Sequence, residues 1–196
     1  GVTFEQARRT KFFRIFCGCA IGLGMCMNGM YYSISPRLQD LGYSISFSAN
    51  FLAVGMFVMA AGQILLGKIF DKQGVRSAFT LANLCLLASQ IGLLIAGKTP
   101  FGFILVFAGL LFGVVYGTVC IPLAIPLIFG KRDYKAIMGF LAAMVSFGGA
   151  LGPIFAGAIY DSCGSYNPAY VIFSVIMAII ILRTYAQLPD KAHQIG

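Results

Sequence analysis

The chain has 196 residues, 59% of them hydrophobic and 10% charged, with a net charge of +8. A soluble domain of this size carries about 25% charged residues, and its surface could not hide so much apolar side chain. A soluble enzyme, a disordered chain and a secreted disulfide scaffold are therefore excluded, and a helical polytopic membrane protein remains. At about 20 residues per crossing, there is room for roughly six helices and short loops.

The expected fold is all-α, with six transmembrane helices. They are predicted at Phe12–Ser35, Ser46–Leu66, Ser77–Ala96, Phe101–Phe129, Lys135–Ile159 and Pro168–Gln187. Each boundary has a physical signal. Pro36 follows the first span, and Gly67-Lys68-Ile69-Phe70-Asp71 closes the second. Lys98-Thr99-Pro100 ends the third, Gly130-Lys131-Arg132-Asp133 the fourth, and the stretch from Asp161 to Asn167 separates the fifth from the sixth. In lipid each segment must satisfy its own backbone, which favours helices. Residues 1–11 form a lead-in and 188–196 a tail.

The basic residues cluster between spans, which is a topology signal rather than a nucleic-acid surface, so no nucleic-acid partner is expected. One side holds Arg8, Arg9, Lys11, Arg14, Lys68, Lys72, Arg76, Lys131, Arg132, Lys135, Arg183 and Lys191. The other holds only Arg37 and Lys98. This asymmetry predicts both termini in the cytoplasm and a multi-pass protein of the plasma or inner membrane. The lipid bilayer is then its first partner. The chain opens on Gly1 rather than Met, so a processed chain or a fragment is expected.

Cysteine and histidine point to no chemistry. Five of the six cysteines (Cys17, Cys19, Cys26, Cys85 and Cys120) lie in apolar runs, Cys163 outside them, and there is no CxxC. Free cysteines in such runs behave as small hydrophobes. The only histidine, His193, is in the tail. No metal, cofactor or catalytic constellation is implied, and an enzyme is not expected.

The chain repeats itself. Gly67-Lys68-Ile69-Phe70-Asp71-Lys72-Gln73-Gly74 and Gly157-Ala158-Ile159-Tyr160-Asp161-Ser162-Cys163-Gly164 share the pattern G-x-I-[aromatic]-D-x-x-G at an offset of 90. The same offset pairs Pro36 with Pro126, Ala60 with Ala150 and Gly62 with Gly152. Residues 12–96 are then a first three-helix repeat and 101–187 a second. Three is odd, so the second copy is inverted in the membrane, a pattern of secondary transporters.

On these residues the chain resembles the major facilitator superfamily. Gly67, Asp71, Lys72, Gly74 and Arg76 are similar to that family's signature between the second and third helices of a half. Family members have twelve helices, so the resemblance implies one six-helix half. No arginine stands between Lys98 and Lys131, where the N-terminal half usually carries one, so the C-terminal half is implied. The stretch from Val2 to Phe13 looks like the lead into a seventh helix. The stretches Pro36–Ser44 and Tyr160–Tyr166 resemble the oxalate/formate antiporter and monocarboxylate porter branch, which implies a small-molecule substrate, an organic anion. Gln63 departs from that branch, which often has an arginine there, and the fifth span has no lysine beyond Lys135. Such a half would work by alternating access with an N-terminal half of the same transporter. A self-sufficient six-helix homodimeric carrier or channel, or a membrane receptor or scaffold, stays open.

No ionisable residue lies deep in any span, which argues against a proton relay in this chain. Neutral polar groups take that place. Asn28, Tyr32 and Ser35 recur at i, i+4 and i+7, with Tyr31 beside them. They are candidates for a substrate-binding wall or for interhelical contacts. Gln63, Tyr116 and Ser146 are further substrate-binding candidates. Asn83, Ser89 and Gln90 are expected to be structural. Pro122, Pro126 and Pro153 predict bends in the fourth and fifth helices. Asp71 is expected to act as a latch, held by the N-terminus of the fifth helix near Tyr134 and Lys135 and by Arg76, with Gly67, Lys72 and Gly74 shaping the turn.

Overall fold

The computed structural model describes residues 1–187, so the tail at 188–196, with Lys191 and His193, lies outside the described residues. All regular structure among the described residues is helical. A short α1 (Phe4–Arg9) leads into α2 (Lys11–Asp40) and α3 (Ile45–Ile95). Next come α4 (Phe101–Ala108), a π-helical turn (Gly109–Gly113), α5 (Tyr116–Phe129), α6 (Tyr134–Cys163) and α7 (Asn167–Gln187). The protein is a polytopic membrane helical bundle.

The 51-residue α3 is two crossings, since its length of about 77 Å at 1.5 Å per residue would overshoot a bilayer core of roughly 30 Å. It reverses at Gly74, whose φ of 85° and ψ of 178° are non-helical. The second crossing therefore does not stop at Leu66. Gly67, Asp71 and Lys72 are still helical, and the expected loop shrinks to Gly74. The matching glycine of the second repeat, Gly164, ends α6 with a φ of 65°. The motif thus ends each copy on a left-handed glycine, a conformation other residues adopt only with strain.

The helix starts are written in local chemistry. Thr3 and Gln6 form a capping box for α1, which the Thr3-Phe4-Glu5-Gln6 run encodes; the lead-in is therefore helical. Thr10 caps α2 by accepting from the Phe13 N–H, and Ser44 caps α3 by accepting from the Phe47 N–H. The first crossing runs past Pro36 to Asp40. There Leu38 is buried, and the Arg37 Nε donates to the Leu93 carbonyl at 3.4 Å. Those contacts anchor the last turn despite the proline. The fourth crossing is Phe101–Phe129 as expected, but its irregularity precedes Pro122. It falls where Gly109 and Gly113 press against Ser89 and Leu86 of the third crossing.

Glycine sets how closely the crossings meet. A Cβ at Gly148 or Gly152 would collide with the backbone of Ile21 or Met25, and one at Gly24 with that of Val145. The seam between α2 and α6 is therefore backbone against backbone. In the equivalent seam between α3 and the fourth crossing, a Cβ at Gly62 would strike the Leu111 carbonyl. Phenylalanines close the end of the bundle near the N-terminus: Phe13 lies 5.6 Å from Phe129 and 5.8 Å from Phe140, ring centre to ring centre. The other end carries Tyr43 stacked on Phe47 at 4.6 Å and Phe51 against Phe107 at 4.5 Å.

Candidate functional site

Two crossings are thinly packed. The α3 arm before Gly74 buries a stripe of Ser48, Phe51, Gly55, Gly62, Leu66 and Phe70. Helix α6 buries Ile137, Leu141, Gly148, Gly149, Gly152 and Ala156. Both stripes follow the 3–4 residue spacing of one helix face. The rest of each helix is open, with Phe57 80% and Ile154 67% exposed. Among those apolar side chains stand Gln63 and Ser146, both exposed. Neither makes a side-chain hydrogen bond among the described residues. Each lies about three helical turns from the nearer end of its crossing. An amide facing hydrocarbon at that depth is costly, so this surface suits water or another protein surface.

The residues of the first crossing divide. Tyr32 is 61% exposed, and its ring meets that of Tyr31 edge-on at 5.5 Å. Tyr32 also borders a small cavity of about 60 Å³ with Ser33, Pro153 and Tyr166. Asn28 is partly buried and donates through Nδ2 to the Gly24 carbonyl at 3.3 Å. Its amide fills the space above Gly149, one turn after Ser146. Asn28 and Ser146 therefore belong to the same seam.

Tyr116 does not join them. It is 3% exposed and packs edge-on against Phe79 at 4.8 Å. The π-helical turn at Gly109–Gly113 inserts a residue into the helical count and turns the faces of the fourth crossing. Spacing along a regular helix does not foresee that rotation. Asn83, Ser89 and Gln90 are fully buried. Ser89 donates to Leu86, while the amides of Asn83 and Gln90 make no hydrogen bond among the described residues.

The Asp71 contact expected at the start of the fifth crossing is not made here. Asp71 is exposed and has no hydrogen bond or ion pair among the described residues. Asp133 holds the N-cap position of α6, and its Oδ2 accepts from the Phe4 N–H at 2.8 Å. Arg76 instead lies over the Tyr185 ring at 5.2 Å from its centre. The Asp133 side chain does not cap α6, since its carboxylate is taken up by the start of α1.

The opposite end of the α2/α6 seam carries links that residue spacing did not reveal. The Tyr160 hydroxyl donates to Asp40 Oδ1 at 3.0 Å, and Tyr160 stacks on Tyr166 at 4.5 Å. The buried Tyr170 hydroxyl donates to Ser33 Oγ at 3.0 Å. Burial, with Asp40 and Asp161 adding to it, pushes the Tyr166 phenol above the ordinary tyrosine range, so it stays protonated at neutral pH.

Comparison with known proteins matches this architecture. The family model described as Major Facilitator Superfamily matches residues 2–128. An MFS-type transporter of Schizosaccharomyces pombe is 30% identical over 140 residues, covering 70% of this chain and 31% of that protein. Monocarboxylate transporter 10 of Mus musculus is 25% identical over 153 residues, covering 72% of this chain and 27% of that protein. The chain thus spans about a third or less of the curated relatives it matches. Both relatives are named as transporters. Six apolar crossings, a motif repeated at a fixed offset and this match agree: the chain belongs to the major facilitator superfamily.

Proposed function

We propose that the chain is the C-terminal half of a secondary transporter that moves a small organic anion by alternating access. Its site surface would be the open faces of α6 and of the α3 arm before Gly74, with Gln63, Ser146, Asn28, Tyr31 and Tyr32 as polar contacts to the cargo. The partner surface is the N-terminal half of the same transporter. Both termini would face the cytoplasm, in the plasma or inner membrane. The observation that carries this reading is the pair of exposed, unpaired polar side chains, Gln63 and Ser146, at mid-membrane depth. Lipid is a poor neighbour for them, and a substrate path between two halves is a good one.

The relative named as a monocarboxylate transporter supports an organic acid as cargo. With Gln63 neutral and no cation deep in any crossing, this half would hold such a cargo through amide and hydroxyl hydrogen bonds. Asp71, exposed and without a hydrogen bond or ion pair among the described residues, would serve as a latch toward the partner half.

The test is uptake of a labelled monocarboxylate by proteoliposomes carrying the full-length protein. Gln63→Leu and Tyr32→Phe should each lower uptake about tenfold, the effect of one lost hydrogen bond of roughly 1.4 kcal/mol, without lowering the melting temperature. Unchanged flux in both variants would overturn the assigned surface. A C-terminal tag on the native gene product should report a band about twice this chain; a band at the present length would favour a homodimer.

A further inference from the structure

The segment ahead of the first crossing is clamped onto the connection between the fourth and fifth, at the phenylalanine-closed end of the bundle. The Val2 N–H donates at 3.0 Å to the carbonyl of Phe129, the last residue of α5, where a helix leaves its carbonyls without partners of its own. The Phe4 N–H donates to Asp133 Oδ2 at 2.8 Å. The Phe4 ring lies 5.5 Å from that of Phe140 and 6.2 Å from that of Phe13, and Ala7 is fully buried. Glu5, Arg8 and Arg9 are exposed on the outer side of α1.

Asp133 stands between two helix starts. It holds the N-cap position of α6, but its side chain makes no cap bond there. Its φ of −112° and ψ of 33° also differ from the extended backbone of a capping residue. The carboxylate sits instead at the start of α1, where free N–H groups favour an anion. Capping α6 would need a backbone rotation at Asp133, so one carboxylate serves one helix start at a time. Each choice satisfies one N-terminus and leaves the other to water, which keeps the two arrangements close in free energy.

We infer that residues 2–9 are a two-position strap with Asp133 as its catch. Docked, the strap fixes the connection between the fourth and fifth crossings through Phe129 and Asp133. Released, Asp133 turns back to cap α6, and that connection moves with the start of α6. Because α6 carries Ser146, the strap sets how freely the end of that crossing can shift. The inference is independent of the cargo and of whether a second half exists.

Hydrogen exchange on the full-length protein tests it. Phe4→Pro deletes the donor at the first helical position, where proline is tolerated. The amides of Ala7 to Thr10 should exchange about tenfold faster, the effect of losing one hydrogen bond to a charged group. Those of Lys135 and Ala136 should exchange about fivefold more slowly, as the freed carboxylate caps α6. Phe4→Leu loses the ring but keeps the N–H, and should leave Lys135 and Ala136 unprotected. Asp133→Ser, too short to reach Phe4 but a good cap, should give the same reciprocal pattern as Phe4→Pro, and decides the matter if Phe4→Pro does not fold. Asp133→Ala should loosen the strap without protecting α6. Unchanged exchange at Ala7 to Thr10 in Phe4→Pro, or faster exchange of both segments together in Asp133→Ser, would overturn the strap.

Discussion

The two repeats meet through equivalent seams that are built differently. In one, α2 packs on α6 with glycines on both sides, Gly24 against Gly149 and Gly29 against Gly152. In the other, the first arm of α3 packs on the fourth crossing through Gly55 and Gly62, and the facing residues are Leu110 and Leu111. The register differs as well. The offset of 90 maps the Gly62–Leu111 contact onto Gly152 and Ile21. Instead Gly152 meets Met25, and Ile21 meets Gly148, one helical turn away. A repeated sequence therefore transmits the glycine at the contact, Gly62 and Gly152, without transmitting what faces it or how far the helices slide. Close approach is decided by where a backbone can touch a backbone, and a stack of glycines permits more than one such position.

The largest effect should come from breaking either seam. Gly148→Val and Gly62→Val each place side-chain atoms against a carbonyl that cannot move aside, at a cost of about 1–3 kcal/mol or more. Thermal melting of detergent-solubilised protein should show both far below wild type. Gly22→Ala should do less, because its new methyl meets side chains rather than backbone, Ile180 Cδ1 at 3.1 Å and Ile176 Cγ2 at 3.3 Å. Gly18→Ala faces open space and should melt like wild type. If Gly148→Val melted no lower than Gly18→Ala, backbone contact would not be what holds the seam.

Next come the repeated turns. Gly74→Ala forces alanine into a region almost confined to glycine, at about 1–3 kcal/mol. Gly164→Asn should be nearly neutral, since asparagine tolerates the left-handed helical region that Gly164 occupies. Equal losses at the two positions would mean that the copies of the motif turn alike. Tyr170→Phe removes the buried bond to Ser33 that ties α7 to α2, and should cost about 1 kcal/mol in a denaturant titration. Smallest of all, Glu5→Gln removes an exposed ion pair with Arg9 at 3.2 Å. It should shift stability by about 0.5 kcal/mol or less, and a larger loss would mean that α1 braces the bundle through this pair.

Much of this molecule could be read without coordinates. Apolar runs bounded by glycine, proline and lysine gave the number and order of crossings, because a bilayer imposes one length on every span. The capping box at Thr3 and Gln6 was also present to be read, since caps are local. Gly74 and Gly164 stood out as paired positions, although only the backbone angles show that each is a reversal.

Faces and registers were decided by tertiary structure. Gln63 and Ser146 stand exposed while Tyr116 is enclosed, yet all three are polar residues within apolar runs. The difference comes from a π-helical turn that rotates one helix and from glycine contacts that set which side of each crossing is buried. Asp71 likewise stands exposed, without a hydrogen bond or ion pair among the described residues, which its motif alone did not foretell. Periodicity along one helix fixes angles only within that helix. Which angle faces a neighbour, a lipid or a cavity depends on how close the other helices can come.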